Sequence, residues 1–348
     1  MSKQENFFQL SPQGFENFIT EELKQKKFVA KQVLDWVYQK KVFDFSLMTN
    51  LKKDLREILQ ERFKFEVPNV VYQLKAADHS TIKVTLELSD KKQIETVFMK
   101  EDRGVTICIS SQVGCAQKCI FCATGKMYGL RNLQAHEIVG QIIALQEMLG
   151  DKFPENFRVV YMGMGEPLNN INQVFKSLEI LTDSKGFNIG SRKITMSTSG
   201  VVKGIYRLAD RFPQVQLAIS LHTVDEQLRK KWVPNQKETV KEILQAARDF
   251  IKTTGRKITF ELVLFGGSQV STSKLNLLGK ALKGIHCNVN AIPYNPIEDG
   301  PQYLTRPTHQ EVEYFKDIMS KWHREITVRV SRGRDIQAAC GQLAIKNS

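Results

Sequence analysis

The sequence predicts an α/β protein: a partial parallel (βα)6 barrel with a small helical domain before it and a short extension after it. Three observations carry this. Between residues 105 and 310, strand-forming runs and amphipathic helical runs alternate, and repeated βα units build a parallel sheet. Polar stretches rich in glycine, serine and cysteine follow five of the six strand runs, and such barrels carry their chemistry at strand C-terminal ends. Before residue 66 the apolar periodicity is helical.

Composition sets the outer limits. A chain of 348 residues that is 42% hydrophobic can bury a large core, with room for one main domain and a smaller one. No apolar run approaches the roughly 18 residues of a membrane span. The start, MSKQENFF, has no signal-peptide core, so we expect a cytoplasmic protein, and a monomer. Clustered thiols in a reducing compartment point to metal binding or catalysis rather than to disulfides. The net charge of +13 favours an anionic partner, nucleic acid first.

Residues 1–65 form the helical domain. Ser11-Pro12 reads as an N-cap followed by proline at the first helical position. Phe15, Phe18, Ile19 and Leu23 recur on one face. Val29, Val33, Trp36 and Val37 make a second, and Leu51, Leu55 and Leu59 a third. Lys24, Lys26, Lys27, Lys31, Lys40 and Lys41 crowd the polar sides. Charged faces are usually only solvated; the sharper reading is an accessory RNA-binding domain. Residues 66–104 change period: 81–88 alternates every second residue, 89–92 is turn-like, and 94–99 resumes extended structure. This predicts a β-hairpin linker, with Glu95 inside it.

In the barrel, 105–310, strands are expected at 105–110, 158–162, 193–197, 215–220, 258–264 and 288–293. Helices are expected at 135–148, 172–182, 203–209, 240–253 and 273–283. Cys115, Cys119 and Cys122 follow the first strand. Gly163-Met164-Gly165-Glu166-Pro167 follows the second, Ser197-Thr198-Ser199-Gly200 ends the third, Ser220-Leu221-His222 ends the fourth, and Asn295 comes after the sixth. The extension, 311–348, continues a helix at 309–322 into a strand at 326–331 and a basic tail. From 321 onward, six Lys and Arg face two Asp and Glu. The tail holds Cys340 between small residues, sterically open as an attacking or modified thiol must be. A lone cysteine is more often a small buried residue, and Cys287 reads that way.

Four of the six cysteines fall between 108 and 122. Cys115, Cys119 and Cys122 have the spacing Cys-x3-Cys-x2-Cys, so three thiolates on one loop can hold three irons of a 4Fe–4S cluster. No fourth local cysteine closes the site, and one iron keeps a position open to a small molecule. Structural zinc takes four protein ligands, and neither Cys108 nor His136 stands at finger spacing. With Ile120-Phe121 before its last cysteine, this motif resembles that of the radical S-adenosylmethionine (SAM) enzymes. The resemblance implies that the open iron takes the amino and carboxylate groups of SAM, and that reduction splits SAM to a 5′-deoxyadenosyl radical. It also implies that the glycine-rich stretch with Gly165 and Glu166 binds the SAM amino group. Ser197, Ser220, Leu221, His222 and Asn295 would line the rest of the pocket.

The order ISSQVGC, cluster loop, GMGEP, STSG, SLH, YNP and DIQAACGQL is similar to the RlmN/Cfr family of RNA adenosine methyltransferases, end to end. The family methylates an adenine ring carbon, carbon 2 in the RlmN branch and carbon 8 in the Cfr branch. Val113 within SSQVGC leans toward the RlmN branch, which acts on 23S rRNA near the peptidyl-transferase centre and, in many members, on a tRNA anticodon loop. The resemblance implies that Cys340 carries a methyl group and that Glu95 accepts the ring proton. Cys108 would then release product through a transient disulfide with Cys340, and a flavodoxin-like or ferredoxin-like donor would reduce the cluster. Two rival readings remain: another radical SAM reaction, such as glycyl-radical activation or sulfur insertion, and a zinc-stabilised RNA-binding protein.

Overall fold

Phenylalanine builds the first part of the chain. In the computed structural model, which describes residues 4–102, 104–322, 325–329 and 332–344, β1 (Glu5–Asn6) leads into a buried pair, Phe7 and Phe8. Ser11 caps α1 (Pro12–Asn17): its hydroxyl accepts from the Gly14 amide at 3.2 Å, with Pro12 at the first helical position. Helices α2 (Lys27–Leu34) and α3 (Lys53–Arg62) follow, and β2 (Phe63–Lys64) pairs parallel with β1. Phe7, Phe15, Phe18, Phe45, Phe63 and Phe65 stack edge-on or tilted at centroid separations of 4.7 to 6.1 Å. This cluster is continuous with the barrel core. Polar contacts add to the seam: Gln9 donates to Gln173 at 2.9 Å, and Glu16 is paired to both Lys27 and Lys185. The six lysines named above are all exposed.

Three antiparallel strands come next: β3 (Asn69–Lys75), β4 (Thr81–Glu87) and β5 (Gln93–Glu101). The hairpin of β4 and β5 is the expected one; β3 was not foreseen. Strand β5 pairs antiparallel with β6 (Gly104–Cys108), Val97 opposite Cys108, so the hairpin runs directly into the barrel sheet. Two short strands, β7 (Gln112–Val113) and β8 (Arg131–Asn132), bracket the cysteine loop.

From β6 the chain is a run of βα units. Helix α4 (Ala135–Leu149) leads to β9 (Phe157–Tyr161), then α5 (Ile171–Thr182), β10 (Ile194–Thr198), α6 (Val202–Arg211) and β11 (Gln216–Ser220). A short helix the sequence did not reveal, α7 (Glu226–Trp232), precedes α8 (Val240–Thr254) and β12 (Ile258–Leu264). Then come α9 (Thr272–Leu282), β13 (Cys287–Pro293), α10 (His309–Ser320) and β14 (Ile326–Val328). The expected end of this last strand, at 330 and 331, lies outside the described residues. All six barrel strands lie within two residues of the expected ranges at both ends; β6 and β9 end two residues and one residue early.

The sheet order is β14-β13-β12-β11-β10-β9-β6-β5-β4-β3, parallel from β6 through β14 and antiparallel beyond β6. Among the described residues β14 and β3 are its two ends, so the barrel of the six expected strands, β6 and β9–β13, with β14 added as a seventh parallel strand, is partial. Helices cover the outer face, and parallel strands buried on both faces read as near-continuous apolar runs, as VVY and QLAIS do. The C-terminal ends of β6 and β9–β13 face one region, where the candidate residues gather.

Candidate active site at the strand ends

The loop after β9 owes its shape to two glycines. Gly163 donates to the Ile109 carbonyl at 3.1 Å, and a Cβ there would stand 2.7 Å from that oxygen. Gly165 has φ +106°, where side chains are strained, and a Cβ would meet Gln112 at 2.6 Å. The backbone between them is tied to the residues after β6: the Ser111 and Gln112 amides donate to the Met164 carbonyl, and the Ser110 hydroxyl accepts from the Met164 amide at 2.9 Å. Gln112 then takes the Glu166 amide at 2.8 Å. Glu166 itself is buried. Its Oε1 accepts from the Leu168 amide at 3.0 Å and its Oε2 from the Ser199 amide at 2.7 Å, against burial that pushes its carboxyl up.

A cleft opens over this loop. Cys115, Cys119 and Cys122 line it, with Gly165, Glu166, Ser197, Ser220 and His222. Ser197 donates to Glu261 at 3.4 Å. His222, at φ +61°, packs edge-on against Phe121 with ring centroids 4.8 Å apart, and its Nδ1 accepts from the Val263 amide. Burial, with the Arg229 charge, pulls the His222 imidazole down to about 3, so it is neutral at working pH. Leu221 is fully buried and contributes backbone only: its amide donates to the Glu261 carbonyl at 3.0 Å. Asn295 is not part of the cleft lining. Its amide holds the Cys340 carbonyl at 3.2 Å, and Arg306 holds its oxygen at 2.9 Å.

Cys340 lines the cleft and also a second cavity, which Cys108 lines as well. Val97, Met99, Val160 and Ile292 give that cavity apolar walls, and Glu101, Arg329 and Arg332 give it charge. Cys108 is buried and Cys340 accessible; burial pushes the Cys108 thiol up to about 12, with the Cys340 charge adding and Arg329 opposing. The Cys340 loop is stitched to the cluster loop: the Ala123 amide donates to the Gly341 carbonyl at 2.8 Å, and the Thr124 hydroxyl to the Leu343 carbonyl at 2.6 Å. Glu95 lies on the cavity-facing side of β5, two residues before Val97, yet it is covered. Its Oε1 pairs with Lys83 at 3.1 Å, and the carboxyl is 3% exposed rather than facing solvent.

Three charged groups here, Arg229 and Glu261 buried and Arg329 half-buried, were invisible in the sequence. Arg229 ties the strand ends together, donating to the Ser220, Leu221 and Ser199 carbonyls. Glu261, in the middle of β12, lines the cleft and accepts from Ser197 and Asn290. Arg329 lies 3.7 Å from Glu101 and faces both thiols of the second cavity. Gln117 stood outside the sequence motifs, whereas Ser199 belongs to the strand-end stretch named above; each presents a buried oxygen without a hydrogen-bond partner at the cleft, as a polar ligand site would.

This donor set fits an iron–sulfur cluster. Among the described residues, no three His, Cys, Asp or Glu side chains converge as ligands of a single ion. The three thiols instead border one cleft, as one-cysteine-per-iron ligation requires. Burial pushes Cys115 up to about 12 and raises Cys119 and Cys122 as well, so only metal charge holds them as thiolates at neutral pH. The orphaned oxygens of Gln117 and Ser199 and the glycine-opened loop suit a polar small molecule beside them. Fold and site define a radical SAM enzyme.

Residues 109–271 match the radical SAM superfamily, and residues 5–65 match the ribosomal RNA large subunit methyltransferase N-terminal domain. A "Probable dual-specificity RNA methyltransferase RlmN" of Dictyoglomus turgidum is 42% identical over 320 residues, covering 92% of this chain and 91% of that one. The protein of the same description in Clostridium perfringens is 41% identical over 335 residues, covering 94% and 95%. The crystal structure of a radical SAM methyltransferase from Sphaerobacter thermophilus superposes with a TM-score of 0.89 at 37% identity, covering 97% of this chain and 98% of that one. The chain belongs to the RlmN family of radical SAM RNA methyltransferases, whose cofactors are a 4Fe–4S cluster and SAM.

Proposed function

We propose that this enzyme methylates carbon 2 of an adenosine in 23S rRNA and in tRNA, with Cys340 as methyl carrier and Cys108 as the thiol that releases product. The observation that carries the reading is the position of Cys340, which borders both the cleft of the three cysteines and the cavity holding Cys108. The two RNA classes follow the "dual-specificity" description of the relatives.

In this reading Cys115, Cys119 and Cys122 hold the cluster, and Gly165, Glu166, Ser197, Ser220, Leu221 and His222 surround SAM. When bound, these cofactors supply the methyl group and the radical chemistry that an unreactive ring carbon demands. The chain's own groups do the rest. Arg329 faces both thiols and favours their ionised, nucleophilic forms. Asn295 and the cluster-loop bonds fix the Cys340 backbone. The apolar walls of the second cavity receive an adenine taken out of its stack. Glu95 accepts the ring proton. The Cys108 thiolate attacks the Cys340 sulfur; an S–S bond forms as the S–C bond to the product breaks, the carbon keeps the electron pair and takes a proton to complete the methyl group, and the disulfide is then reduced.

The reading further takes residues 1–65 as an RNA-binding domain, 66–104 as the hairpin region, 105–310 as the barrel and 311–348 as the carrier extension. It takes the protein as a cytoplasmic monomer reduced by a flavodoxin-like or ferredoxin-like partner. Mass-spectrometric mapping of adenosines in RNA from a deletion strain tests it. 2-Methyladenosine should vanish from both 23S rRNA and tRNA and return on complementation; its persistence, or a methyl at carbon 8, overturns the assignment.

A further inference from the structure

A lysine ammonium is ordinarily kept in water, and Lys83 is 7% exposed. It sits in the middle of β4, opposite Val97 and diagonal to Glu95 on the same sheet face. Its Nζ lies 3.1 Å from Glu95 Oε1 and 3.4 Å from the Gln337 carbonyl, in the turn that leads to Cys340. Glu95 Oε2 is buried without a hydrogen-bond partner of normal geometry among the described residues, with the Ala344 amide nearby. Among the described residues, the other groups named around Glu95 are neutral. Thr85 is its cross-strand partner, the Ser110 hydroxyl takes its carbonyl at 2.6 Å, and its amide points at the Met164 sulfur. Buried ion pairs are a poor source of stability, because desolvation offsets the attraction, so a pair kept in a strand centre invites a functional account.

We propose that Lys83 is a positioning residue that keeps Glu95 ionised inside the protein, with Oε2 left free to take the proton from the adenine ring carbon. The inference rests on the reading of Glu95 as proton acceptor. In the step concerned, the C–H bond of the enzyme–RNA adduct breaks, its electron pair stays on the ring, and an O–H bond forms at Oε2. Burial raises the Glu95 carboxyl and the Lys83 charge opposes it. Removing that charge therefore moves the carboxyl further up. The base is the ionised form, so a Lys83 variant without charge loses the step at low pH and regains it as pH rises. Because Lys83 also holds Gln337, its loss loosens the Cys340 turn; that effect has no reason to reverse with pH.

The test compares Lys83→Met, Lys83→Gln, Lys83→Arg and Glu95→Gln in the full-length, cluster-loaded enzyme, with two readouts. The first is the Glu95 carboxyl titration, followed by 13C NMR of glutamate-labelled protein with Glu95→Gln giving the assignment. The second is methyl turnover and covalent protein–RNA species, as a function of pH. In Lys83→Met and Lys83→Gln the titration should move upward. Turnover at neutral pH should slow about tenfold for every tenfold loss of the ionised carboxylate, and recover at high pH. Glu95→Gln should stall at every pH with covalent species present, and Lys83→Arg should behave as wild type. Lys83→Gln keeps a hydrogen-bond donor and decides the matter if Lys83→Met does not fold. An unmoved Glu95 titration, or uncharged Lys83 variants that are equally slow at all pH, overturns the role of Lys83 and leaves Glu95 standing. Normal turnover in Glu95→Gln overturns the proton-acceptor reading and the Lys83 proposal with it.

Discussion

Cys115, Cys119 and Cys122 are half-buried where a thiolate is disfavoured, so the cluster-ligand role proposed for them requires a metal to ionise them. Replacing any one with Ala should remove most of the iron and sulfide and all SAM cleavage. Iron analysis with an anaerobic cleavage assay checks this, and full iron content in a single-cysteine variant would contradict it. Gly165 makes a sharper residue-scale test, because its substitution leaves the three cysteines in place. A Cβ at φ +106° and 2.6 Å from Gln112 must displace the side chain that holds the Glu166 amide. Gly165→Ala should cost about 1–3 kcal/mol of stability. It should also weaken SAM binding more than tenfold by calorimetry; wild-type affinity would show that the loop yields. The cysteine spacing and the glycine pair were legible in the sequence because their meaning is local. Arg229, Glu261 and Arg329 were not, since a lone charge reads as solvated until distant elements gather around it.

At the scale of elements, alternation and helical period revealed the barrel strands and the hairpin, because each has one side in the core. β3 escaped because it is the outermost strand: nearly all of it is exposed, so its sequence carries no alternation. α7 escaped because its seven residues are too few for a periodic pattern. The hairpin's place in the sheet could not be read either, since strand pairing across the chain leaves no local mark. In the N-terminal domain the exposed lysines are separable from the fold, whereas the phenylalanine cluster is not. Deleting residues 1–60 would strip the barrel of packing at Gln9, Glu16 and Tyr38. Changing Lys24, Lys26, Lys31 and Lys41 to Gln should leave thermal stability within about 0.5 kcal/mol. RNA affinity should fall, and the salt dependence of log Kd should flatten by about 0.7–0.9 for each phosphate contact removed. Unchanged affinity and slope in a filter-binding titration would leave the domain without an RNA role.

At the scale of the molecule, a partial barrel places one loop of three thiols beside a tail that carries a fourth, and brings a fifth from the end of β6 to the same tail. A backbone bond from Ala123 and a side-chain bond from Thr124 hold the tail to the cysteine loop, and Cys340 borders both cavities. Only the family resemblance joined Cys108 to Cys340; nothing in their spacing did. The central claim is that Cys340 carries the methyl and Cys108 frees the product. Denaturing gel electrophoresis after incubation with SAM, reductant and RNA tests it most directly. Cys108→Ala leaves the three cluster thiols and the carrier intact, so a covalent protein–RNA species should accumulate. Cys340→Ala has no carrier and should give none. A Cys108→Ala enzyme that turns over normally, or a crosslink that persists in Cys340→Ala, would contradict the two-cysteine account.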